Sequence, residues 1–271
     1  MDIDSRYRRF LPESRRIVVK VGTRVIAQKT GKPDMARIRA LVAQVATLHR
    51  SGYQVAIVSS GAIGAGMAAL GIKSRPKEVP DLQMCAAVGQ AHLMAIYEEC
   101  FKASRIRIGQ VLLTHDDFES RIRHNNARRT MEHLLRAGVV PIIHETDVVA
   151  DEEVKAYLSL GDNDYLAALV VKLIRADLLV ILSTVDGLLR TDGRTHRRIR
   201  CIEKFTKEVF ALVNPSKGSL SKGGMDSKLR SAQIAAKAGC TVVIANGRKS
   251  GSLARVVSGA DEGTLILGAT T

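Results

Sequence analysis

Tryptophan is absent, and aromatic residues make up only 4% of the 271-residue chain. Surfaces that stack nucleobases need such rings, so a dedicated nucleic-acid face is not expected despite a formal net charge of +14. Cysteine is also sparse. Cys85, Cys100, Cys201 and Cys240 stand far apart with no Cys-x-x-Cys pair, which argues for buried, reduced thiols over disulfides or a zinc site. Long apolar runs are lacking: Tyr165–Leu182 is broken by Lys172, Arg175 and Asp177, so it does not span a membrane. Nor does a secretory signal stand at the start, since residues 1–16 hold five arginines and no apolar core. His115, His124 and His133 are spaced by nine and do not share a helix face as metal ligands. The expectation is a cytoplasmic protein with no membrane partner and no metal site built from its histidines or cysteines.

What is present is a globular composition, 46% hydrophobic and 25% charged, with length enough for one large domain or two lobes. The arginines gather at Arg6–Arg16, Arg121–Arg129 and Arg194–Arg200, read as an arm, a helix and a loop whose surfaces are solvated or attract phosphate. Between them, short β-branched runs alternate with helical periods. Strands are predicted at about 15–22, 55–58, 106–113, 139–143, 178–182 and 241–245. Helices are predicted at 33–52, from Gly61 to Leu70, and at 82–101, 118–136, 165–174, 203–213 and 225–238. Residues 252–267 read as a short helix and a last strand. Thr146–Tyr157 breaks the rhythm and reads as a hairpin; Asn214–Gly224 reads as a flexible stretch. This alternation is the pattern of an α/β fold, a three-layer sandwich with a mostly parallel central sheet.

Ligands of such sheets bind beyond the carboxyl ends of the strands. Those ends carry Lys20-Val21-Gly22, Ser59-Ser60-Gly61, Thr114-His115-Asp116, His144-Glu145-Thr146-Asp147 and Ser183-Thr184. Gly61-x-x-Gly64-x-Gly66 can bring backbone N–H groups against an anion, though it does not fit the dinucleotide fingerprint. Gly218–Lys228 is a second glycine and lysine cluster that fails the P-loop pattern, because Gly224 stands where that lysine belongs. It reads equally as a phosphate cradle and as an ordinary loop. Gly161-Asp162-Asn163-Asp164 opens a helix, where capping alone needs one polar residue. Phosphoryl transfer gives these parts a common purpose, since its catalysis is mostly positioning and the placement of cations. Lys20 and Lys228 supply point charges, and Asp162 and Asp164 can orient them or help hold Mg²⁺.

In order along the chain stand Val18-Val-Lys20-Val-Gly22, Ser59-Ser60-Gly61-Ala-Ile-Gly-Ala-Gly66, Ala87-Val-Gly-Gln90, Gln110-Val-Leu-Leu-Thr114, Asn126-Ala-Arg, Gly161-Asp-Asn-Asp164 and Gly223-Gly-Met-x-x-Lys228. This series resembles the glutamate 5-kinases of the amino acid kinase superfamily, from about residue 15 to residue 250. The resemblance implies an amino acid kinase fold and ATP-dependent phosphorylation of the L-glutamate side-chain carboxylate, the first step of proline synthesis. It also implies a basic arm at 1–14 and a single kinase domain at 15–271, with an acceptor lobe at about 15–160 and a nucleotide lobe at about 161–271. Lys20 and Lys228 would stabilise the transferring phosphoryl group and Asp164 would hold those lysines. Ser60, Asp147 and Asn163 would bind glutamate, with Asp162 lining the same pocket. ATP would be held by Lys20, Gly22, Ser183, Thr184, Lys222, Gly223, Gly224, Met225 and Lys228, with Mg²⁺ as its companion. A homo-oligomer, dimer or tetramer, is implied, in a form without the C-terminal RNA-binding-like domain of many members. The sequence departs from the family where Asn-Glu-Asn-Asp becomes His144-Glu145-Thr146-Asp147, where Thr-Asp becomes Ser183-Thr184, and where the Thr before Gly-Gly becomes Lys222. Those departures keep two alternatives open: an amino acid kinase with another carboxylate or carbamate acceptor, and a non-catalytic nucleotide- or nucleic-acid-binding relative.

Overall fold

The computed structural model describes residues 3–114, 116–146, 162–192, 195–212 and 224–269. The chain divides into two compact units, Met1–Lys20 with Leu158–Thr271, and Val21–Tyr157. The strands are β1 Arg16–Val21, β2 Gln54–Ser59, β3 Ile108–Leu113, β4 Val140–Glu145, β5 Leu178–Ser183, β6 Leu189–Asp192, β7 Thr195–Arg198, β8 Cys201–Ile202, β9 Thr241–Asn246 and β10 Thr264–Ile266.

In the unit Val21–Tyr157 the strand order is β3-β4-β2 and every pairing is parallel. Parallel strands of one sheet require crossovers, and the helices Ala62–Ala69 and Val79–Lys102 together carry the chain from β2 to β3, on the far side of β4. Those two helices touch closely through glycine. A Cβ on Gly66 would sit 1.7 Å from the Cys85 carbonyl oxygen, and one on Gly89 would sit 1.8 Å from that of Ala62. Gly64 is likewise pressed on the Gly31 backbone. Thus Gly64 and Gly66 of the glycine motif serve packing, and Gly61, at φ +108°, is the member whose backbone requires glycine.

In the other unit the order runs β1-β5-β9-β10-β8, with β5 and β9 parallel and β10 antiparallel to β9. Ile17, Val18 and Val19 of β1 and all of Leu178–Ile181 in β5 are inaccessible to solvent, the mark of strands covered on both faces. Each such side chain contributes about 1.5–3 kcal/mol by leaving water. The Asp177 carboxylate accepts from the backbone N–H groups of Arg15 and Arg16 at 2.8 and 2.7 Å, which fixes where β1 begins.

Several expectations are corrected. The N-terminal arm is a helix, Ile3–Arg8, followed by a 3₁₀ turn, and Arg8 is buried at 2% exposure. Its guanidinium donates to the carbonyls of Arg200, Ala260, Glu262 and Gly263 at 2.8–3.0 Å, so this arginine is structural and not part of a solvated face. The Arg- and Thr-rich loop is an antiparallel hairpin, β6–β7. The helix expected at 203–213 is only Lys207–Ala211. The helix at 118–136 is two, Asp116–Glu119 and Arg121–Arg136, parted where the Ser120 hydroxyl accepts the Arg123 N–H. The helix placed at 82–101 already starts at Val79, with Pro80 in its first turn. The hairpin predicted beyond Thr146 and the flexible stretch before Gly224 lie outside the described residues.

Candidate active site

The unit formed by Met1–Lys20 and Leu158–Thr271 gathers three charged side chains from three elements. Lys20 is the penultimate residue of β1, Asp164 lies in the first turn of the helix Asp162–Ile174, and Lys228 lies in the first turn of the helix Met225–Lys237. The two helices pack against each other. Asp164 Oδ1 meets Lys20 Nζ at 2.7 Å; Oδ2 meets Lys228 Nζ at 3.1 Å and accepts from the Ser227 hydroxyl at 3.3 Å. All three are buried, at 6%, 1% and 6% exposure. Residues from opposite ends of the chain thus share one carboxylate.

Magnitudes show why the trio is stable. A buried ion loses several kcal/mol of hydration. Each lysine–carboxylate attraction at about 3 Å returns on the order of 5 kcal/mol at an effective dielectric of about 20. Mutual repulsion between the lysines offsets part of this. For Asp164, burial alone would raise the carboxyl pKa; Lys20 first and Lys228 second outweigh it and hold the group below the usual carboxylate range. The helix N-terminus works in the same direction. The trio still has one more positive group than negative, in a place where little water screens it. That suits an anion.

Both oxygens of Asp164 are engaged by lysines, the arrangement expected of a residue that orients them. Among the described residues no three of His, Cys, Asp or Glu gather as a metal cage. Asn163 is half-buried and its Oδ1 has no partner among the described residues. Ser183 ends β5 and, with Thr184, is half-buried; the Ser183 carbonyl accepts the Gly247 N–H at 2.8 Å. Gly224 is the N-cap of the Lys228 helix, extended at φ −66° and ψ −178°, and Met225 begins it. Asp147, Lys222 and Gly223 lie outside the described residues, and of Asp162 only the backbone is described, as the start of its helix.

Gly22 and Ser60 belong to the unit Val21–Tyr157. Gly22 caps the short helix Thr23–Ile26 in an extended conformation. Ser60 is buried and its N–H donates to the Val21 carbonyl at 3.2 Å. Thr114, counted among the polar strand ends, is spent on a turn: its N–H and hydroxyl both donate to the Asp117 carboxylate.

Two features went unread in the sequence. Ser227 stands beside Lys228 in the chain, yet its bond to Asp164 spans 63 positions. Beyond the ends of β5 and β9, Asp186 accepts from Asn246 Nδ2 and pairs with Lys249 Nζ, both at 2.9 Å, and those two bonds hold its carboxyl below the usual range. Asn246 ends an ordinary β-strand and Lys249 follows it, so only the placement of β5 beside β9 identifies the cluster.

The chain matches the model of the Amino acid kinase family over residues 15–246. It is 41% identical over 260 residues to the glutamate 5-kinase of Moorella thermoacetica, covering 95% of this chain and 68% of that one. It is 41% identical over 258 residues to the glutamate 5-kinase of Clostridium tetani, covering 94% and 95%. Among solved structures, carbamate kinase from Giardia lamblia bound to AMP-PNP superposes with a TM-score of 0.64 at 16% identity, covering 95% of this chain and 100% of that one. UMP kinase from Bacillus anthracis gives 0.61 at 15% identity, covering 95% and 97%. At such identities the likeness is one of fold, and it bears out the expected α/β class.

Proposed function

This chain belongs to the amino acid kinase family and, within it, to the glutamate 5-kinases, and from that premise we propose that it transfers the ATP γ-phosphoryl group to the side-chain carboxylate of L-glutamate. The product is glutamyl 5-phosphate and the step is the first of proline biosynthesis. The observation that carries the reading is the buried Lys20–Asp164–Lys228 trio. Phosphoryl transfer spreads negative charge over the outer oxygens of the moving group. Two ammonium groups already fixed by a carboxylate stabilise that charge without reorganising during the step.

Lys20 and Lys228 are the catalytic residues of this reading, and Asp164 positions both. L-glutamate is assigned to Ser60, Asp147, Asn163 and Asp162. ATP is assigned to Lys20, Gly22, Ser183, Thr184, Lys222, Gly223, Gly224, Met225 and Lys228. The nucleophile is a carboxylate, ionised at neutral pH, so no general base is required. Mg²⁺ accompanies ATP, held mainly by phosphate oxygens and water as its coordination habits favour. Among the described residues no helix is long and apolar enough to cross a membrane. A cytoplasmic dimer or tetramer completes the proposal.

The replacement of two family amides by His144 and Thr146 favours one second reading, a kinase of the same mechanism with a different acceptor. ADP release from Mg-ATP, measured with L-glutamate and with aspartate, glutarate and carbamate, separates the two. Release that depends on L-glutamate supports the proposal. Release with another acid alone moves the substrate and keeps the mechanism.

A further inference from the structure

One contact in the unit formed by Met1–Lys20 and Leu158–Thr271 is not needed to neutralise a charge. Both Asp164 oxygens already meet a lysine, Oδ1 at Lys20 and Oδ2 at Lys228. Oδ2 nevertheless accepts a second bond, from the Ser227 hydroxyl at 3.3 Å, and that serine is 5% exposed. Its place in the helix Met225–Lys237 makes the bond unexpected. A helical serine commonly spends its hydroxyl on backbone nearby, and the N-cap here, Gly224, brings no side chain of its own. Ser227 reaches instead to the helix Asp162–Ile174, which packs against its own.

A lysine ammonium is a point charge on a flexible four-carbon stem. An aspartate carboxylate turns easily about its last torsion, which is broad and two-fold. Two lysines alone therefore fix the charge of the trio better than its direction. A serine hydroxyl is short and directional, and Ser227 precedes Lys228 in the chain, so its bond ties the carboxylate to the helix that carries Lys228. When negative charge spreads over the outer oxygens of the moving phosphoryl group, it draws on both ammonium groups and weakens their hold on Asp164. The hydroxyl bond does not weaken with them. Resting on the reading that Lys20 and Lys228 meet the transferring group, we propose that Ser227 is a positioning residue of this kinase. It keeps the Asp164 carboxylate in one orientation, and through it both ammonium groups, while their charge turns to the reaction. Its action runs through Asp164 and not through a contact with ATP.

The test measures glutamate-dependent ADP release, ATP binding and thermal unfolding for wild type, Ser227→Ala and Ser227→Thr. Ser227→Ala is expected to lower kcat about tenfold or more, the loss of one hydrogen bond to a charged group, with KM for ATP and for L-glutamate within about twofold. Ser227→Thr keeps the hydroxyl and is expected to recover most of the lost rate. A double-mutant cycle with Asp164→Ala separates action through the carboxylate from direct contact with the phosphoryl group. With no carboxylate to hold, loss of the hydroxyl is expected to change kcat by less than about twofold. Should Asp164→Ala not fold, Asp164→Asn replaces it, and its neutral acceptor is expected to shrink the effect to about threefold. A lowered Tm with unchanged kcat in Ser227→Ala overturns the inference, as does a raised KM for ATP with kcat unchanged. So does a full tenfold fall in the double mutant. Each of these leaves the kinase reading intact. Absence of any glutamate turnover by wild type removes that reading, and the inference with it.

Discussion

Two clusters of buried polar groups, one in each unit, differ in how far they are satisfied. Around Asp164 every carboxylate oxygen is engaged, by Lys20, Lys228 and Ser227. In the unit Val21–Tyr157, His144 and Gln90 bury polar atoms that bond nothing among the described residues. A group that must meet transition-state charge works best when fixed beforehand. A group that recognises a substrate instead keeps its hydrogen-bonding capacity open for it, and a site so built rejects ligands that leave the capacity unpaired. Under the proposed function, the satisfied cluster is the one expected to act on the transferring phosphoryl group.

The sharpest way to break the contrast is Asp164→Ala, which leaves two ammonium groups buried together. Turnover is expected to fall by about 10³-fold or more, with a stability loss on the order of 3–5 kcal/mol, checked by ADP release and urea unfolding. Asp164→Asn keeps the volume and removes the charge, and its kcat is expected to fall more than its KM for glutamate rises. Gly89→Ala examines the other unit. The new methyl would lie 1.8 Å from the Ala62 carbonyl oxygen, a clash with backbone, and the cost is at least the 1–3 kcal/mol typical of overpacking, read as a lowered urea midpoint. Arg8→Ala removes the donor to four carbonyls and is expected to cost about 2–4 kcal/mol with kcat little changed.

The smallest effect concerns pH. His144 has a folded pKa near 4, below its unfolded value of 6.5. The unfolded chain therefore binds the extra proton between those values, and stability falls as pH drops from about 6.5 to 4, by roughly 3 kcal/mol in all. His144→Leu is expected to flatten that part of a urea-midpoint profile. Asp164, lowered by its lysines, adds a further loss only below the ordinary carboxylate range. Equal profiles for the two proteins between pH 4 and 6.5 would show that the ring is not buried in solution.

Much of this was legible in the sequence. Fully apolar runs such as Ile17-Val18-Val19 and Leu178–Leu182 announced buried parallel strands, and Lys20 stood out as a charge at the end of one of them. Asp164 stood out because capping did not need a third polar residue, and Lys228 because it follows a glycine pair. What the sequence hid was the partner. Arg8 reads as one more solvent-facing arginine until the carbonyls near residue 262 are brought beside it. Gly64 and Gly66 read as an anion loop, since close packing between helices leaves the same letters as a backbone nest. His144 was visible as a departure from the family, but its lack of any hydrogen bond is a property of the packed strand alone. Residue types betray local needs; long-range pairing decides which need is met.

The account's central claim is that the preformed lysine–carboxylate trio performs phosphoryl transfer to L-glutamate. It is tested most directly by glutamate-dependent ADP release from Mg-ATP by wild type, Lys228→Ala and Lys228→Arg, with ATP binding measured in parallel. The account expects turnover in wild type, a fall in kcat of about 10²–10³-fold in Lys228→Ala, and partial recovery in Lys228→Arg. Turnover in a folded Lys228→Ala equal to that of wild type would contradict it.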